Sequence, residues 1–276
     1  MACCWILTQI GKDKMYSTPQ IMGIINCTPD SFFDGGKYNT PELAFEHALK
    51  LLSDGANILD IGGESTRPGY EQVPEEEELA RVIPVIEMLA KERSRKNFQI
   101  SIDTTKANVA LQAVKAGANM INDISAMEHD PEMFKTIADT KADAVLQHTL
   151  KYAGGTCSIQ DVKNYLLKRA DLLKEKGIEN IYIDPGIGFG KTQKENLALI
   201  SNINALCQTE YPVLLGVSRK SFISKIEGLE NSNRLVPSIV CGIIAAQKGV
   251  KILRVHDVLE TKEALAALFT VSAEMQ

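Results

Sequence analysis

Asp103, Asn122 and Asp184 each close a short apolar run, in "SID", "MIN" and "IYID". An ionised carboxylate only accepts hydrogen bonds, whereas an amide both donates and accepts. Facing one pocket, the three would suit the edge of a flat heterocycle with ring N–H, amino and carbonyl groups. A second set is basic: Arg67 in "GGESTRPG", Lys220 in "GVSRKS", and Arg254 with His256 in "RVHDV". Guanidinium forks match phosphate oxygens in pairs and lysine adds a point charge. Four such donors in three segments suggest a diphosphate. Paired carboxylates can also hold a metal or move protons, but neither aspartate has a second acid or a histidine beside it at ligand spacing. No Ser-His-Asp or Cys-His arrangement stands out, and Cys27, next to Asn26, has no base among its nearest neighbours. The chemistry implied is electrostatic positioning rather than covalent catalysis.

The stretch "IYIDPGIGFGKT", residues 181–192, looks at first like a phosphate-cradling loop. A G-x-x-x-x-G-K-[ST] loop ending at Thr192 needs glycine where Pro185 stands, and a G-x-G-x-x-G loop needs it at Lys191. Neither pattern is met. Asp184 is then the informative residue, and the glycines let ligand and backbone approach each other.

These residues need elements to hold them. Short β-rich runs at 21–25, 58–61, 99–102, 120–121, 144–147, 181–183, 213–215 and 252–255 alternate with helical stretches that start near Pro41, Pro74, Lys106, Pro131, Asp161, Lys194, Arg234 and Thr261. Strand alternating with helix implies parallel pairing through right-handed crossovers. Eight units predict a closed (β/α)8 barrel in preference to an open doubly wound sheet. The strand tips read Asn26, Asp60, Asp103, Asn122 with Asp123, His148, Asp184, Ser218, then Arg254 with His256. Any one of these acids or amides could be a helix cap or a turn residue. As a set at the carboxyl ends of barrel strands they converge where such folds place active sites. The acidic run at 75–78 reads as a solvated helix start, and His47 and His129 as incidental.

A length of 276 residues fits one barrel domain spanning 1–276, and no polar or Pro/Gly-rich linker divides the chain. The net charge of −5 comes with no basic face, which excludes a nucleic-acid surface. Six cysteines without a C-x-x-C pair argue for reduced thiols in the cytoplasm rather than a disulfide framework. The amino terminus lacks the features of a signal peptide, and no run reaches the roughly 20 apolar residues of a membrane span.

Six segments in order, "MGIINCTPDSFFDGG", "GANILDIGGESTRPG", "SIDTTKANVALQAVKAGANMINDIS", "IDPGIGFGKT", "GVSRKSF" and "RVHDV", closely resemble the dihydropteroate synthase family from about residue 21 to the end. The resemblance implies a (β/α)8 barrel and a cytoplasmic homodimer. It also implies a reaction in which 4-aminobenzoate displaces pyrophosphate from 6-hydroxymethyl-7,8-dihydropterin diphosphate, with Mg2+ on the leaving group. Pterin contacts fall on Asp103, Asn122, Asp184 and Lys220. Diphosphate contacts fall on Asn26, Thr66, Arg254 and His256, with Asn26 also touching the metal. The aminobenzoate end matches Phe32, Thr66, Arg67, Pro68, Phe189, Lys220 and Ser218, and Arg67 would serve both ends. Asp103, Lys220, Arg254 and His256 stand closest to the chemistry.

Some positions depart from the family pattern. Gln147-His148-Thr149 and "LKYAGG" replace a Met-His-Met run and a Gly-x-Pro loop, Phe33 replaces a serine, and Ala126 a glycine. Two rivals are a pterin-binding methyltransferase domain, which has no use for a diphosphate site, and a non-catalytic pterin-binding paralogue.

Overall fold

The computed structural model describes residues 18–28, 40–64, 72–93 and 95–274. Its strands are β1 Gln20–Asn26, β2 Ile58–Gly62, β3 Gln99–Asp103, β4 Met120–Asp123, β5 Asp143–Gln147, β6 Ile181–Asp184, β7 Leu214–Leu215 and β8 Ile252–Val255. All pair in parallel, in the order β6-β5-β4-β3-β2-β1-β8-β7. A bridge between Ile183 and Val213, with Ile183 N donating to Pro212 O at 3.0 Å, joins the two ends into a barrel. Several strands run through the polar tips expected to follow them: Asn26, Asp103, Asn122 and Asp184 are all ladder residues. A polar side chain facing the lumen leaves the backbone N–H and C=O free to continue the ladder.

The helices are α1 Pro41–Asp54, α2 Glu75–Glu92, α3 Ala107–Ala116, α4 Met133–Thr140, α5 Leu150–Ala153, α6 Ile159–Lys174, α7 Gln193–Ser201, α8 Asn204–Cys207, α9 Leu235–Gln247 and α10 Val258–Glu274, with a 3₁₀ turn at Ser221–Lys225. Their starts follow local chemistry. Thr40 accepts from Leu43 N ahead of Pro41, Ser158 accepts from Asp161 N, and Thr192 and Glu195 form a reciprocal capping box at α7. The acidic start of α2 is not wholly solvated, because Glu78 is buried and turned towards Lys106 at the start of α3. No helix among the described residues is long and apolar enough to cross a membrane.

Strand alternation divides the core in two. One face of the sheet packs against the helices through Ile25, Leu59, Ile61, Ile100, Ile121 and their neighbours. The other face turns into the barrel, where Met22, Ile58, Met120, Val145, Leu214 and Ile252, with Tyr182, form an apolar plug. Two residues further along the same strands come Asp60, Asn122, Gln147, Asp184 and Arg254. The period of two therefore puts a polar layer directly above the plug, at the carboxyl mouth.

Candidate active site

Arg254 lies at the centre of that layer. Its Nε donates to Asp60 Oδ2 at 2.5 Å and its Nη2 to Asp103 Oδ2 at 2.6 Å, while Asn122 Nδ2 donates to the same Asp60 oxygen at 3.0 Å. Asp60, Asp103 and Asn122 are buried. One guanidinium thus faces two carboxylates, and Asp60 Oδ1, Asp103 Oδ1 and the neighbouring Ser101 Oγ have no partner. Buried polar atoms are almost always paired, so three orphans in one layer are unusual. Burial pushes the Asp103 carboxyl up to about 7 against the pull of Arg254.

Across the mouth, Asp184 is register partner of Gln147 and accepts from Gly186 N at 2.7 Å. Burial raises its pKa, opposed chiefly by Lys220. Lys220 Nζ donates to Ile187 O at 2.5 Å and lies 4.6 Å from the centre of the Phe189 ring. Burial lowers its ammonium to about 7, with Asp184 pulling the other way. An apolar-faced cation and a nearby carboxylate, each discouraged from ionising alone, favour a ligand that hydrogen-bonds to both.

The β6–α7 segment between them answers for its glycines. Gly186 has φ +65, and a Cβ there would sit 1.9 Å from His148 O, so only glycine fits. The turned carbonyls converge on Lys191, whose Nζ donates to His148 O at 2.9 Å, Gly186 O at 2.8 Å and Phe189 O at 3.4 Å. Lysine here fills the loop from inside, where a phosphate-binding loop would turn outwards. Burial lowers Lys191 to about 8.

The second basic cluster divides. Arg254 and Lys220 sit with the carboxylates, whereas His256 at the end of β8 is tied to Ser218, its backbone N lying 3.2 Å and Nδ1 3.0 Å from Ser218 Oγ. Ser218 is therefore a link between β7 and β8. Arg219 pairs with Asp257, as a structural cation would.

Two strand tips prove to face away from the lumen. Asp123 binds its own turn through Ser125 N, Ser125 Oγ and Met127 N, and His148 is buried edge-on against Tyr165 and lowered to about 4 by burial. Both are odd-even neighbours of inward residues, Asn122 and Gln147, and alternation sends them outwards. Burial pushes the Cys27 thiol up to about 12, which disfavours a nucleophilic thiolate. Asn26 is half-buried at the end of β1. Phe32, Phe33, Thr66, Arg67 and Pro68 lie outside the described residues.

The departures have local explanations. Gln147 Nε2 donates to Thr149 Oγ1 at 3.0 Å, and Thr149 Oγ1 donates to Ile124 O at 2.6 Å, so the two polar replacements satisfy each other. Ala126 sits at φ +50, where glycine is favoured, and its carbonyl is held by Arg169 Nε at 2.8 Å.

The sequence puts Asp60 at a tip without pointing to a task for it, and Lys191 falls with the rejected loop motif. Asp60 carried a signal, since it alternates with Ile58 onto the plug face. For Lys191 the signal was the glycine spacing around it. Among the described residues no three His, Cys, Asp or Glu side chains come together as a metal cage. Asn26 offers one amide oxygen, a donor set that suits magnesium, which keeps most of its waters and arrives on substrate phosphates.

A barrel whose mouth pairs carboxylates with an amide, beside arginine and lysine, defines a binder of a flat, hydrogen-bonding heterocycle, and the sequence pattern of "pterin binding enzyme" matches residues 22–256. Clostridium beijerinckii dihydropteroate synthase is 43% identical over 247 residues, covering 88% of this chain and 91% of the relative. Two solved structures superpose closely. Xanthomonas albilineans dihydropteroate synthase with 4-aminobenzoic acid has a TM-score of 0.85 at 43% identity, covering 94% of each chain. The same organism's enzyme in complex with 7,8-dihydropteroate has a TM-score of 0.82 at 40% identity, covering 94% of this chain and 96% of that one. The chain belongs to the dihydropteroate synthase family.

Proposed function

We propose that the chain condenses 6-hydroxymethyl-7,8-dihydropterin diphosphate with 4-aminobenzoate, giving 7,8-dihydropteroate and pyrophosphate. The observation that carries this reading is the buried layer of Asp60, Ser101, Asp103, Asn122 and Arg254 with its three unpartnered oxygens, beside Asp184 and Lys220. Asp103 and Asp184 accept from the N–H and amino edge of the pterin, Asn122 matches donor and acceptor sites, and Lys220 closes the ring between Asp184 and Phe189. Arg254 holds Asp60 and Asp103 apart and presents its outer edge, with His256, to the diphosphate. Thr66 and Arg67 complete that subsite, and Phe32, Pro68 and Phe189 line the aminobenzoate end. Ser218 acts there through His256.

The aryl amine attacks the pterin methylene, the C–O bond to the diphosphate breaks, the C–N bond forms, and the amine loses a proton. Asn26 would help to hold a magnesium ion, which when bound would neutralise charge on the leaving group. The protein's part is to orient the two reactants and keep water from the electrophilic methylene. Incubation with both substrates should release pyrophosphate and yield dihydropteroate, and omitting either substrate should stop both. Pterin binding without turnover would favour the non-catalytic paralogue, and methyl transfer from a methylated pterin would favour the methyltransferase.

The quaternary state proposed is a homodimer in the cytoplasm. Val236, Val240 and Ile244 recur every four residues along α9 at 65%, 50% and 39% exposure, an apolar stripe suited to a second copy. Sedimentation should show a dimer that Val240→Glu splits; a monomeric wild-type chain would refute it.

A further inference from the structure

Strand β7 is only Leu214–Leu215. It pairs with β8 through Leu214 to Ile252 and Leu215 to Leu253, and meets β6 through the single Ile183–Val213 bridge. The ladder therefore stops short of His256, which the proposed reaction needs in place. Two side-chain links take over beyond it. The first is Ser218 with His256. The second is Arg219, whose Nε donates to Asp257 Oδ2 at 2.9 Å and whose Nη2 pairs with Asp257 Oδ1.

Arg219 and Asp257 adjoin Lys220 and His256 in the chain, so this fork joins the two segments that carry the site's cation and imidazole. Arg219 is also gripped by its backbone. Its N–H donates to Ser238 Oγ at 2.8 Å in the first turn of α9, and its carbonyl accepts from Arg234 Nη1 at 3.2 Å. Its φ of +54 lies in the left-handed region that residues other than glycine rarely adopt without support. On the far side, Asp257 O accepts from Thr261 N at 3.1 Å and Thr261 Oγ1 at 2.7 Å, which anchors it to α10.

We propose that the Arg219–Asp257 pair is a positioning device for the leaving-group half of the site, fixing His256 where the β7–β8 ladder no longer does, while Lys220 keeps its own hold on Ile187 O. It touches no substrate and acts through its neighbours. The pterin carboxylates Asp103 and Asp184 stand on β3 and β6, each held by ladders of its own. Loss of the pair should therefore separate the two subsites, a division that rests on the reaction proposed above.

Arg219→Met and Asp257→Asn are each expected to lower kcat and weaken magnesium pyrophosphate by about tenfold or more, as small displacements of catalytic groups do. The dissociation constant of a bare pterin analogue should change by less than about threefold, roughly 0.6 kcal/mol. The double variant should be no worse than Arg219→Met alone, and the exchanged pair Arg219→Asp with Asp257→Arg should regain part of kcat. Should Arg219→Met fail to fold, Asp257→Asn, which keeps shape and one acceptor, carries the same comparison. Unchanged kcat in both single variants, or equal weakening of pyrophosphate and pterin with a lowered melting temperature, would overturn the proposal. A wild-type chain that releases no pyrophosphate strikes instead at the reaction, while the two dissociation constants still test the clamp.

Discussion

The two ends of the barrel are both polar on their inner face, yet they differ in how that polarity is satisfied. At the amino end, Asp143 accepts from Gln99 Nε2 and Asn180 Nδ2, both at 2.9 Å, one oxygen to each. Gln99 and Asp143 are half-buried and Asn180 is exposed. At the carboxyl end Asp60 and Asp103 share one arginine, and each keeps an oxygen without a partner in a drier setting. Polar residues closing a barrel are ordinary; buried acceptors left over after internal pairing point to a ligand that supplies the donors. The wet, completed end reads as stability and the dry, incomplete end as function.

The most severe way to break this contrast is Arg254→Met. It leaves Asp60 and Asp103 as buried carboxylates without their cation, and removing one partner of such a network costs about 3–5 kcal/mol. The loss should depend on pH with a defined sign. Burial pushes the Asp103 carboxyl from its ordinary 3.8 up to about 7 in the folded state, and Arg254 is the first influence holding it down. Without the arginine its folded pKa rises further, by about 1–3 units. A carboxyl with a raised folded pKa contributes its stability below the unfolded value and loses it as pH climbs through the folded one. The deficit of Arg254→Met relative to the wild type, measured by urea unfolding, should therefore be smaller at pH 5.5 than at pH 8. A deficit that grows on acidification would show that Asp103 does not carry the charge assigned to it.

Asp184→Asn should leave the fold intact, because the amide oxygen can still accept from Gly186 N. Its new N–H donors would meet a ligand edge that also donates, costing about 1–3 kcal/mol of pterin affinity, or roughly fivefold to 150-fold. Calorimetric titration at wild-type affinity would remove Asp184 from the site. At the other end, Asp143→Ala gives the converse result: about 1–2 kcal/mol of stability lost with its two hydrogen bonds, and kcat unchanged. A fall in kcat would mean that the two ends are coupled through the plug.

Much of this contrast was legible in the sequence, and the exceptions have physical causes. The eight units and the inward positions of Asp103, Asn122, Asp184 and Arg254 followed from strand period and tip polarity. Asp123 and His148 misled because a polar residue one place beyond the inward one looks the same in sequence and faces the opposite way in space. The carboxylate partners of Arg254 do not show in the sequence, because Asp60 and Asp103 lie 194 and 151 positions away. Lys191 was hidden for a related reason: it binds three backbone carbonyls, and carbonyls carry no residue identity.

The smallest effect expected lies within the polar layer, at Gln147. Its amide is satisfied by Thr149, whose hydroxyl proton goes to Ile124 O. Gln147→Met removes a donor but leaves Thr149 paired with Ile124, so no buried group is orphaned, and stability should change by less than about 0.5 kcal/mol. Thr149→Val is not equivalent. It deprives both the Gln147 amide and the Ile124 carbonyl of their partner at a buried position, which costs about 1–3 kcal/mol. Adding Gln147→Met to Thr149→Val removes one of those two orphans and should recover part of the loss, a coupling that a double-mutant cycle measures directly. Additive effects would mean that the two side chains are satisfied independently. Gln147 would then belong with the unpartnered acceptors of that layer rather than with its internally satisfied pairs.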